Sequence, residues 1–410
     1  MRNILKQNLF QNPVLKDIAW IASIAVIYFI VGNLSMELLF EPEGIAAIWP
    51  NSGIFLSALL LTRRKLLPYL IGTLFITDLI IEMIAGSPFN VSFVYAFALT
   101  FDASLSAWLL TRFTGGQVTF DRVKHVFGFI SLSVILSNAL AATIASMAAY
   151  MFIGESFWNS WALWWSSDAV GNLLITPFVL SLASMNMARL WKSDIKRTAE
   201  AVLFFVSIIT INFFALQRFG GNIDLFSVIN YLTFPFLIWA AIRFGIRGVT
   251  FASVVLTANI LYFILRSQIL PLSGSLLNSV IMVQLYIAII SASSLILASV
   301  YTERRQAEQE LQIALIKYKT LFYAFPLGIT VADQTGNIME SNPMAERLLG
   351  LSQEEHLQRK IDGKEWSIVR PDGTPLDVRE YASVRALREN RLVENMEMGI
   401  LKAGGEITWI

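Results

Sequence analysis

Four acidic side chains lie inside long apolar runs of this sequence. Asp78 and Glu82 are one helical turn apart and share a face, while Asp102 and Asp168 each lie near the middle of a later run. A carboxylate at the centre of a spanning helix costs roughly 3 kcal/mol, so such acids face a bundle interior or a wet cavity. We therefore expect these four residues to line a site for a small ligand, a proton or an ion. The amide side chains expected to pair with them are Asn33, Asn138, Asn172, Asn212, Asn259 and Gln284.

Tryptophans accompany the last of these acids. Trp158, Trp161, Trp165 and Asp168 fall at i, i+3, i+7 and i+10, which places them along one stripe of a helix. The stripe is typical of a ligand cavity lined by aromatic rings and closed by a carboxylate. The alternative is an interfacial tryptophan belt next to one structural, hydrogen-bonded acid.

The composition divides the chain into two physical parts. Hydrophobic residues make up 55% and charged residues 15% of the 410 residues, and 31 of the 61 charged residues lie in residues 302–410. The first part is too apolar to be a soluble globule, whereas the second has the charge of an ordinary small cytosolic domain. This distribution predicts a membrane protein with a soluble C-terminal part and excludes a purely soluble enzyme.

Apolar windows of about 20 residues predict a polytopic α-helical membrane bundle of about ten spans. The second and ninth are short, so eight or nine spans with a re-entrant piece remain an alternative. The windows are 18–40, 45–62, 66–85, 90–111, 123–152, 157–183, 199–217, 228–245, 248–265 and 277–301.

Lys and Arg residues are concentrated in alternate loops. Fifteen of them lie on one predicted side of the membrane, whereas the other side has two, Arg218 and Arg266. Because positive residues are retained in the cytoplasm, both termini are predicted to be cytoplasmic. The polar start followed by a run long enough to span predicts that no N-terminal signal is cleaved. The 15 residues are Arg2, Lys6, Lys16, Arg63, Arg64, Lys65, Arg112, Arg122, Lys124, Arg189, Lys192, Lys196, Arg197, Arg243 and Arg247.

Several functions are excluded by charge and residue type. The net charge of +1 lacks the basic field that nucleic acid requires, so no nucleic-acid partner is expected. The absence of cysteine excludes disulfides, thiolate metal sites and thiol nucleophiles. We find no phosphoacceptor histidine, ATP-binding loop or metal motif, and predict neither a catalytic residue, a metal site nor a cofactor in this chain.

Two motifs in the apolar part resemble the MASE-type membrane-associated sensor domains of bacteria. The first is Trp-Pro-Asn-Ser-Gly-Ile at residues 49–54; the second is Trp-Trp-Ser-Ser-Asp-Ala-Val-Gly at residues 164–171, followed by Thr176 and Pro177. The resemblance covers most of residues 15–301 and implies that residues 1–301 are the input module of a signalling protein with an unknown ligand. The candidate site residues are Trp49, Pro50, Asn51, Asp78, Glu82, Asp102, Trp165 and Asp168.

Residues 302–325 continue without a Gly or Pro break and predict a helical linker out of the membrane. Its apolar residues are spaced 4, 3, 4 and 3 residues apart, as in a heptad repeat. A second heptad register that begins at Ala307 shares several of the same positions. We predict a homodimeric, coiled-coil-like stalk that relays a signal by rotation or sliding; the alternative is a plain amphipathic linker. The linker residues are Leu311, Leu315, Tyr318, Phe322 and Phe325.

Residues 326–410 predict a small mixed α/β domain. Strands are expected at 327–332, 338–341, 393–401 and from 406 onward, with helices after Asn342 and over 378–390. The order, the Asp-x-x-Gly turn at 333–336 and the Asp-Gly-Thr-Pro segment at 372–375 resemble a PAS domain that lacks its last strand. The resemblance implies a relay domain in the cytoplasm, and His356 alone does not indicate a haem site.

The combined prediction is the input half of a signal receptor in the bacterial inner membrane. The output is expected beyond residue 410 and is most simply a histidine kinase transmitter, whose partner would be a response regulator. One alternative is a diguanylate cyclase or phosphodiesterase output, although the Gly-Gly-Glu at 404–406 reads as a hairpin turn. An alternative of another class is an ion- or proton-coupled transporter, for which we see no internal symmetry.

Overall fold

The computed structural model describes residues 13–37, 39–40, 45–46, 48–185, 195–219, 225–267, 276–402 and 404–410. The chain divides into two compact units, Met1–Arg305 and Gln306–Ile410. Four of the loop cations used for the orientation lie outside the described residues: Arg2, Lys6, Arg189 and Lys192.

The first unit is helical apart from one short hairpin. Its strands are β1 (Leu39–Phe40) and β2 (Ile45–Ala46), which pair antiparallel. Its helices are α1 (Pro13–Glu37), α2 (Pro50–Leu61), α3 (Leu67–Ile84), α4 (Phe89–Thr114), α5 (Val123–Ile153), α6 (Phe157–Ala183), α7 (Ile195–Phe219), α8 (Leu225–Ser267) and α9 (Leu276–Ala324).

Within the described residues, seven helices are long and apolar enough to cross a membrane, namely α1, α3, α4, α5, α6, α8 and α9. The chain is therefore a multi-pass membrane protein. Each of the ten predicted windows overlaps a helix, but the windows 18–40 and 45–62 also include β1 and β2, and the eighth and ninth windows both lie on α8. At 12 residues, α2 is about 18 Å long, which is shorter than the roughly 30 Å of a hydrocarbon core.

The long helix α8 is broken at Gly245, whose φ of 64° and ψ of −152° are not helical. A Cβ added to Gly248 would stand 3.1 Å from the carbonyl oxygen of Ala240. In a continuous helix those two residues would be about 12 Å apart, so the chain folds back at Gly245. The break divides α8 where the sequence predicted a loop between the eighth and ninth windows.

Backbone chemistry explains where several helices start and stop. Pro50 occupies the first turn of α2, where its missing N–H costs no hydrogen bond. Gly115 and Gly154 follow α4 and α5 in the left-handed conformation that ends a helix. Two π-helical stretches, Phe129–Ser137 and Ala149–Ile153, interrupt the regular geometry of α5.

The core of the first unit is built around α2, which packs against α1, α3, α4 and α6. Phe55 and Leu56 of α2 are fully buried and belong to two different apolar clusters. One cluster joins α2 to α1, α3 and α4; the other joins it to α5, α6, α7, α8 and α9. A short central helix thus connects both halves of the bundle.

The second unit contains two small sheets. Strands β3 (Thr330–Ala332) and β4 (Ile338–Ser341) form an antiparallel hairpin, and β5 (Ile368–Val369), β6 (Gly399–Leu401) and β7 (Ile407–Trp409) form a three-stranded antiparallel sheet in that order. The helices are α10 (Pro343–Leu349), α11 (Gln353–Leu357) and α12 (Ala382–Glu389), and a 3₁₀ turn covers Val378–Glu380.

The sequence predictions for this unit are partly confirmed and partly wrong. The prediction of β4, of the Asn342 cap with Pro343 after it, and of Gly350 as the terminator is confirmed. Strands predicted at 327–332 and 393–401 are shorter, since β3 begins at Thr330 and β6 at Gly399. The prediction of one helix over 378–390 is wrong, because Tyr381 is extended and buried in the core between the 3₁₀ turn and α12.

Asp333 organises the β3–β4 turn. Its carboxylate accepts hydrogen bonds from the backbone N–H groups of Thr335 and Asn337 and from both of their side chains, at 2.8–2.9 Å. The side-chain amide of Asn337 is the largest of the influences that lower the pKa of Asp333 to about 2. The ionised form of Asp333 therefore stabilises this turn.

Candidate functional site

The head of α2 carries the first motif and lies inside the bundle. Trp49 is 8% and Asn51 0% exposed, and the Trp49 backbone N–H donates to the carbonyl of Ser167 in α6 at 3.4 Å. The Ser52 hydroxyl contacts the backbone carbonyls of Trp49 at 2.8 Å and of Asp168 at 3.2 Å. The two motifs that resemble the sensor family therefore meet in space.

Glycines allow this close approach of α2 to α6. A Cβ on Gly53 would stand 2.5 Å from the carbonyl oxygen of Gly171 and 2.7 Å from the Cβ of Ile175. A Cβ on Gly171 would overlap the carbonyl oxygen of Trp49. Backbone therefore packs directly on backbone, and no larger residue fits at either glycine without a shift of a helix.

Asp78 of α3 is held by a tyrosine from α1. The Tyr28 hydroxyl donates to Asp78 Oδ1 at 2.8 Å, and both residues are buried. The Asn51 amide nitrogen donates to the Tyr28 carbonyl at 3.2 Å, which links this pair to the head of α2. Sequence reasoning missed Tyr28, although a hydroxyl in the middle of an apolar window is the signal that could have found it.

Asp102 of α4 has partners on α4, α5 and α6. Its carboxylate accepts from Ser106 at 3.3 Å and from the amide nitrogen of Asn172 at 3.4 Å. Its backbone carbonyl accepts from Ser137 at 3.0 Å. Asn172 was among the expected amide partners, whereas Asn33 and Asn259 bond to carbonyls of their own helices and the side chain of Asn212 lies outside the described residues.

Asp168 is the least satisfied of the acids. It is 1% exposed, and its Oδ2 atom has no hydrogen-bond partner among the described residues. Asp102, Asp78 and Glu82 each lie within electrostatic range of its carboxyl group. The four residues, called the acidic cluster below, come from α3, α4 and α6.

Among the described residues, no basic side chain forms an ion pair with the acidic cluster. None of the ion pairs within the described residues includes one of the four acids, and none of the described His, Asp and Glu residues form a group of three or more that could hold a metal ion. Glu82 accepts only a 3.4 Å contact from Ser87 at the end of α3. The cluster is rich in hydrogen-bond acceptors.

The tryptophan stripe lies along the N-terminal half of α6. The rings of Trp161 and Trp165 are stacked, with centroids 6.0 Å apart and planes at 4°, whereas Trp158 is 72% exposed. Trp161 donates to Thr143, while the buried Nε1 of Trp165 has no acceptor among the described residues. Trp165 thus has a buried, unpaired Nε1 and lies three residues before Asp168 on α6, whereas Trp158 is exposed.

The connection to α9 is a hydrogen bond next to the cluster. The Ser166 hydroxyl of α6 donates to the Gln284 side-chain oxygen of α9 at 2.6 Å, and both residues are buried. Ser166 is two residues before Asp168 and follows Trp165 directly. The helix that carries Asp168 is thus joined by a buried polar contact to the helix that leaves the membrane unit.

The C-terminal part of α9 belongs to the second unit and packs within it. Tyr318 donates to Glu340 at 2.7 Å, and Phe322 is 6% exposed. The Asn342 amide nitrogen donates to the carbonyl of Phe322 at 3.1 Å. Of the predicted linker residues, Tyr318 and Phe322 therefore contact the domain, while Leu311, Leu315 and Phe325 are exposed.

A comparison with protein-family models matches residues 20–305 to MASE1. The chain belongs to the MASE1 family. MASE1 is a membrane-associated sensor domain of signalling proteins, so the membrane unit is a transmembrane sensor input. The match includes both motifs and all four acids. No curated protein and no solved structure matches the chain.

Proposed function

We propose that this MASE1 chain is the input half of a bacterial inner-membrane receptor, and that its signal acts at the acidic cluster. The Ser166–Gln284 hydrogen bond carries this proposal, because it joins the site-bearing helix α6 to α9. Since α9 continues as one helix to Ala324, a shift of α6 has a direct route to the second unit.

The second unit is proposed to be a PAS-type relay domain on the cytoplasmic side. Its order of hairpin, helices and antiparallel sheet supports this assignment. Within the described residues, β3 pairs only with β4, and β7 pairs only with β6, so each sheet has one strand edge open to a further strand. A strand inserted between the β3 and β7 edges would produce one six-stranded sheet.

The output is proposed to be a histidine kinase transmitter that passes phosphate to a response regulator, with a diguanylate cyclase or phosphodiesterase output as the second candidate. Signalling is proposed to occur in a homodimer through the stalk. Leu311 and Leu315 are 70% and 50% exposed, which supports a partner helix on that side of α9.

The test uses a fusion protein in which a histidine kinase transmitter follows residue 410. Alanine residues are inserted into α9 of this fusion. Inserting one, two, three, four or seven alanines after Glu310 rotates everything beyond that point by about 100° per residue. We expect autophosphorylation in membranes to vary with the helical phase and to recover after seven residues, which restores the heptad register. The same insertions after Gly373, in an exposed turn, are the control.

A phase-independent output would contradict relay through α9. A second arm replaces Gln284 by Leu, which removes the acceptor of the Ser166 hydroxyl and preserves the size of the side chain. If the relay uses this hydrogen bond, the basal autophosphorylation of Q284L should differ from that of the parent fusion. Equal autophosphorylation would exclude this bond from the relay.

A further inference from the structure

Unpaired oxygen atoms concentrate around the middle of α6. Asn51 Oδ1, Asn138 Oδ1, Asn172 Oδ1 and Asp168 Oδ2 are all buried and have no hydrogen-bond partner among the described residues; the same holds for two groups of α6 that can donate, Trp165 Nε1 and Ser167 Oγ. The residues of the four oxygen acceptors are 0–1% exposed. Buried acceptors normally have a donor, so four in one place call for an explanation.

All four atoms belong to residues that border the same two turns of α6. Asn172 is one turn after Asp168 on the same helix, and the Asn138 amide nitrogen donates to the carbonyl of Trp165, three residues before Asp168. Asn51 precedes Ser52, whose hydroxyl contacts the Asp168 carbonyl. The residues with unpaired oxygens therefore lie on, or next to, the two turns of α6 that include Asp168.

The chemistry of these atoms indicates what would bind them. An amide oxygen or an ionised carboxylate oxygen accepts hydrogen bonds and cannot donate them. The matching ligand offers several hydrogen-bond donors, and a positive charge on it would complement the carboxyl groups of Asp168, Asp102 and Asp78. The stacked rings of Trp161 and Trp165 continue the same helix face and suit a cation.

From this arrangement we infer that the acidic cluster binds a small organic cation with N–H donors, such as a protonated amine or guanidinium group. A divalent metal fits less well, because the described acids do not converge as a group of three. The carboxylates of Asp78 and Asp102 also already accept from Tyr28, Ser106 and Asn172. The inference rests on the proposed sensor function, for which it names the class of ligand.

The experiment uses the full chain in lipid nanodiscs and measures the unfolding midpoint and the tryptophan fluorescence. The probe is methylammonium chloride, compared at equal ionic strength and pH with tetramethylammonium chloride, which has no N–H donor, and with sodium chloride. We expect a saturable rise of the midpoint and a saturable fluorescence change with methylammonium alone. Asp168→Asn should weaken the apparent affinity at least tenfold, whereas Asp121→Asn, in an exposed loop, should leave it unchanged.

Asn138→Ala is the second variant and removes one unpaired oxygen while it preserves the charge of Asp168, so it tests the site even if D168N does not fold. Equal effects of all three salts, a sodium effect as large as that of methylammonium, or unchanged affinity in the folded variants would each overturn the inference. The stalk insertions need no ligand. A failure of the relay and a failure of amine binding are therefore separate results.

Discussion

The backbone of Gly171 in α6 lies against the carbonyl group of Trp49, so closely that a single methyl group on Gly171 would overlap the Trp49 oxygen. This contact joins the two family motifs, which are more than a hundred residues apart in the sequence. It also sets the position of the α2 head beside Asp168.

Replacing Gly171 by Ala should destabilise the membrane unit, because the atom it meets is backbone and cannot move aside. Overpacking of this kind costs about 1–3 kcal/mol. Thermal unfolding in detergent should show a clearly lower midpoint for G171A. Gly72→Ala is the matched control, since a Cβ there meets nothing within 4 Å, and it should raise or preserve the midpoint. Equal midpoints for both variants would contradict the close contact.

Replacing Tyr28 by Phe should also lower stability. The variant removes the donor of the 2.8 Å hydrogen bond and leaves the buried Asp78 carboxyl group without that partner, at a cost of about 1–3 kcal/mol. A double-mutant cycle with Asp78→Asn, measured by denaturant unfolding, should give a coupling energy that shows the Tyr28–Asp78 pair to be stabilising. Tyr262→Phe, on a side chain that is 58% exposed, is the control and should have no effect.

The predicted orientation places the loop after α3 outside the cytoplasm and the loop after α4 inside it. The cysteine-free chain allows single cysteines to be placed without background. In intact cells, a membrane-impermeant maleimide should label Ser87→Cys but label Asp121→Cys only after lysis. The reverse labelling pattern would show that the positive loops face outward.

Asn342 should link the C-terminal turn of α9 to the rest of the second unit. Its amide nitrogen donates to the carbonyls of Phe322 and Leu327, and its oxygen accepts from the backbone N–H groups of Ile329 and Ala345. Asn342→Asp preserves the cap of α10 but loses both donations, whereas Asn342→Ala loses all four bonds. Hydrogen exchange should show faster exchange in both variants at the β3 amides, and faster exchange at the start of α10 in N342A alone.

The β3–β4 turn should weaken in acid. Because the pKa of Asp333 in the folded chain is about 2, below the value of roughly 3.9 for an unfolded chain, its ionised form stabilises the fold above about pH 4. That contribution is lost as the pH falls from about 4 through 2. The protection factors of the Thr335 and Asn337 amides, which are corrected for the intrinsic exchange rate at each pH, should fall over this range. Asp333→Asn should lower the same protection factors at neutral pH and remove their fall in acid.

Short-range signals in the sequence predicted the helices and their ends well. Apolar windows located every helix of the membrane unit, and the Asn342, Pro343 and Gly350 pattern located α10. Both rest on interactions within a few residues, which is why a sequence reveals them. The prediction at 378–390 was wrong because Tyr381 leaves the helix to pack into the core, and a tertiary contact of that kind has no local signal.

The sequence by itself determined that this chain is a membrane protein, that acids lie within its apolar helices, and that its motifs resemble the MASE family. Hydropathy and residue type decide those properties position by position. Only the tertiary structure decided which acids come together, that Tyr28 binds Asp78, that Ser166 joins Gln284, and that α2 is a short central helix. Such contacts depend on the packing of helices distant in sequence, where glycines permit close approach and buried polar groups select their partners, so they follow from the assembled bundle.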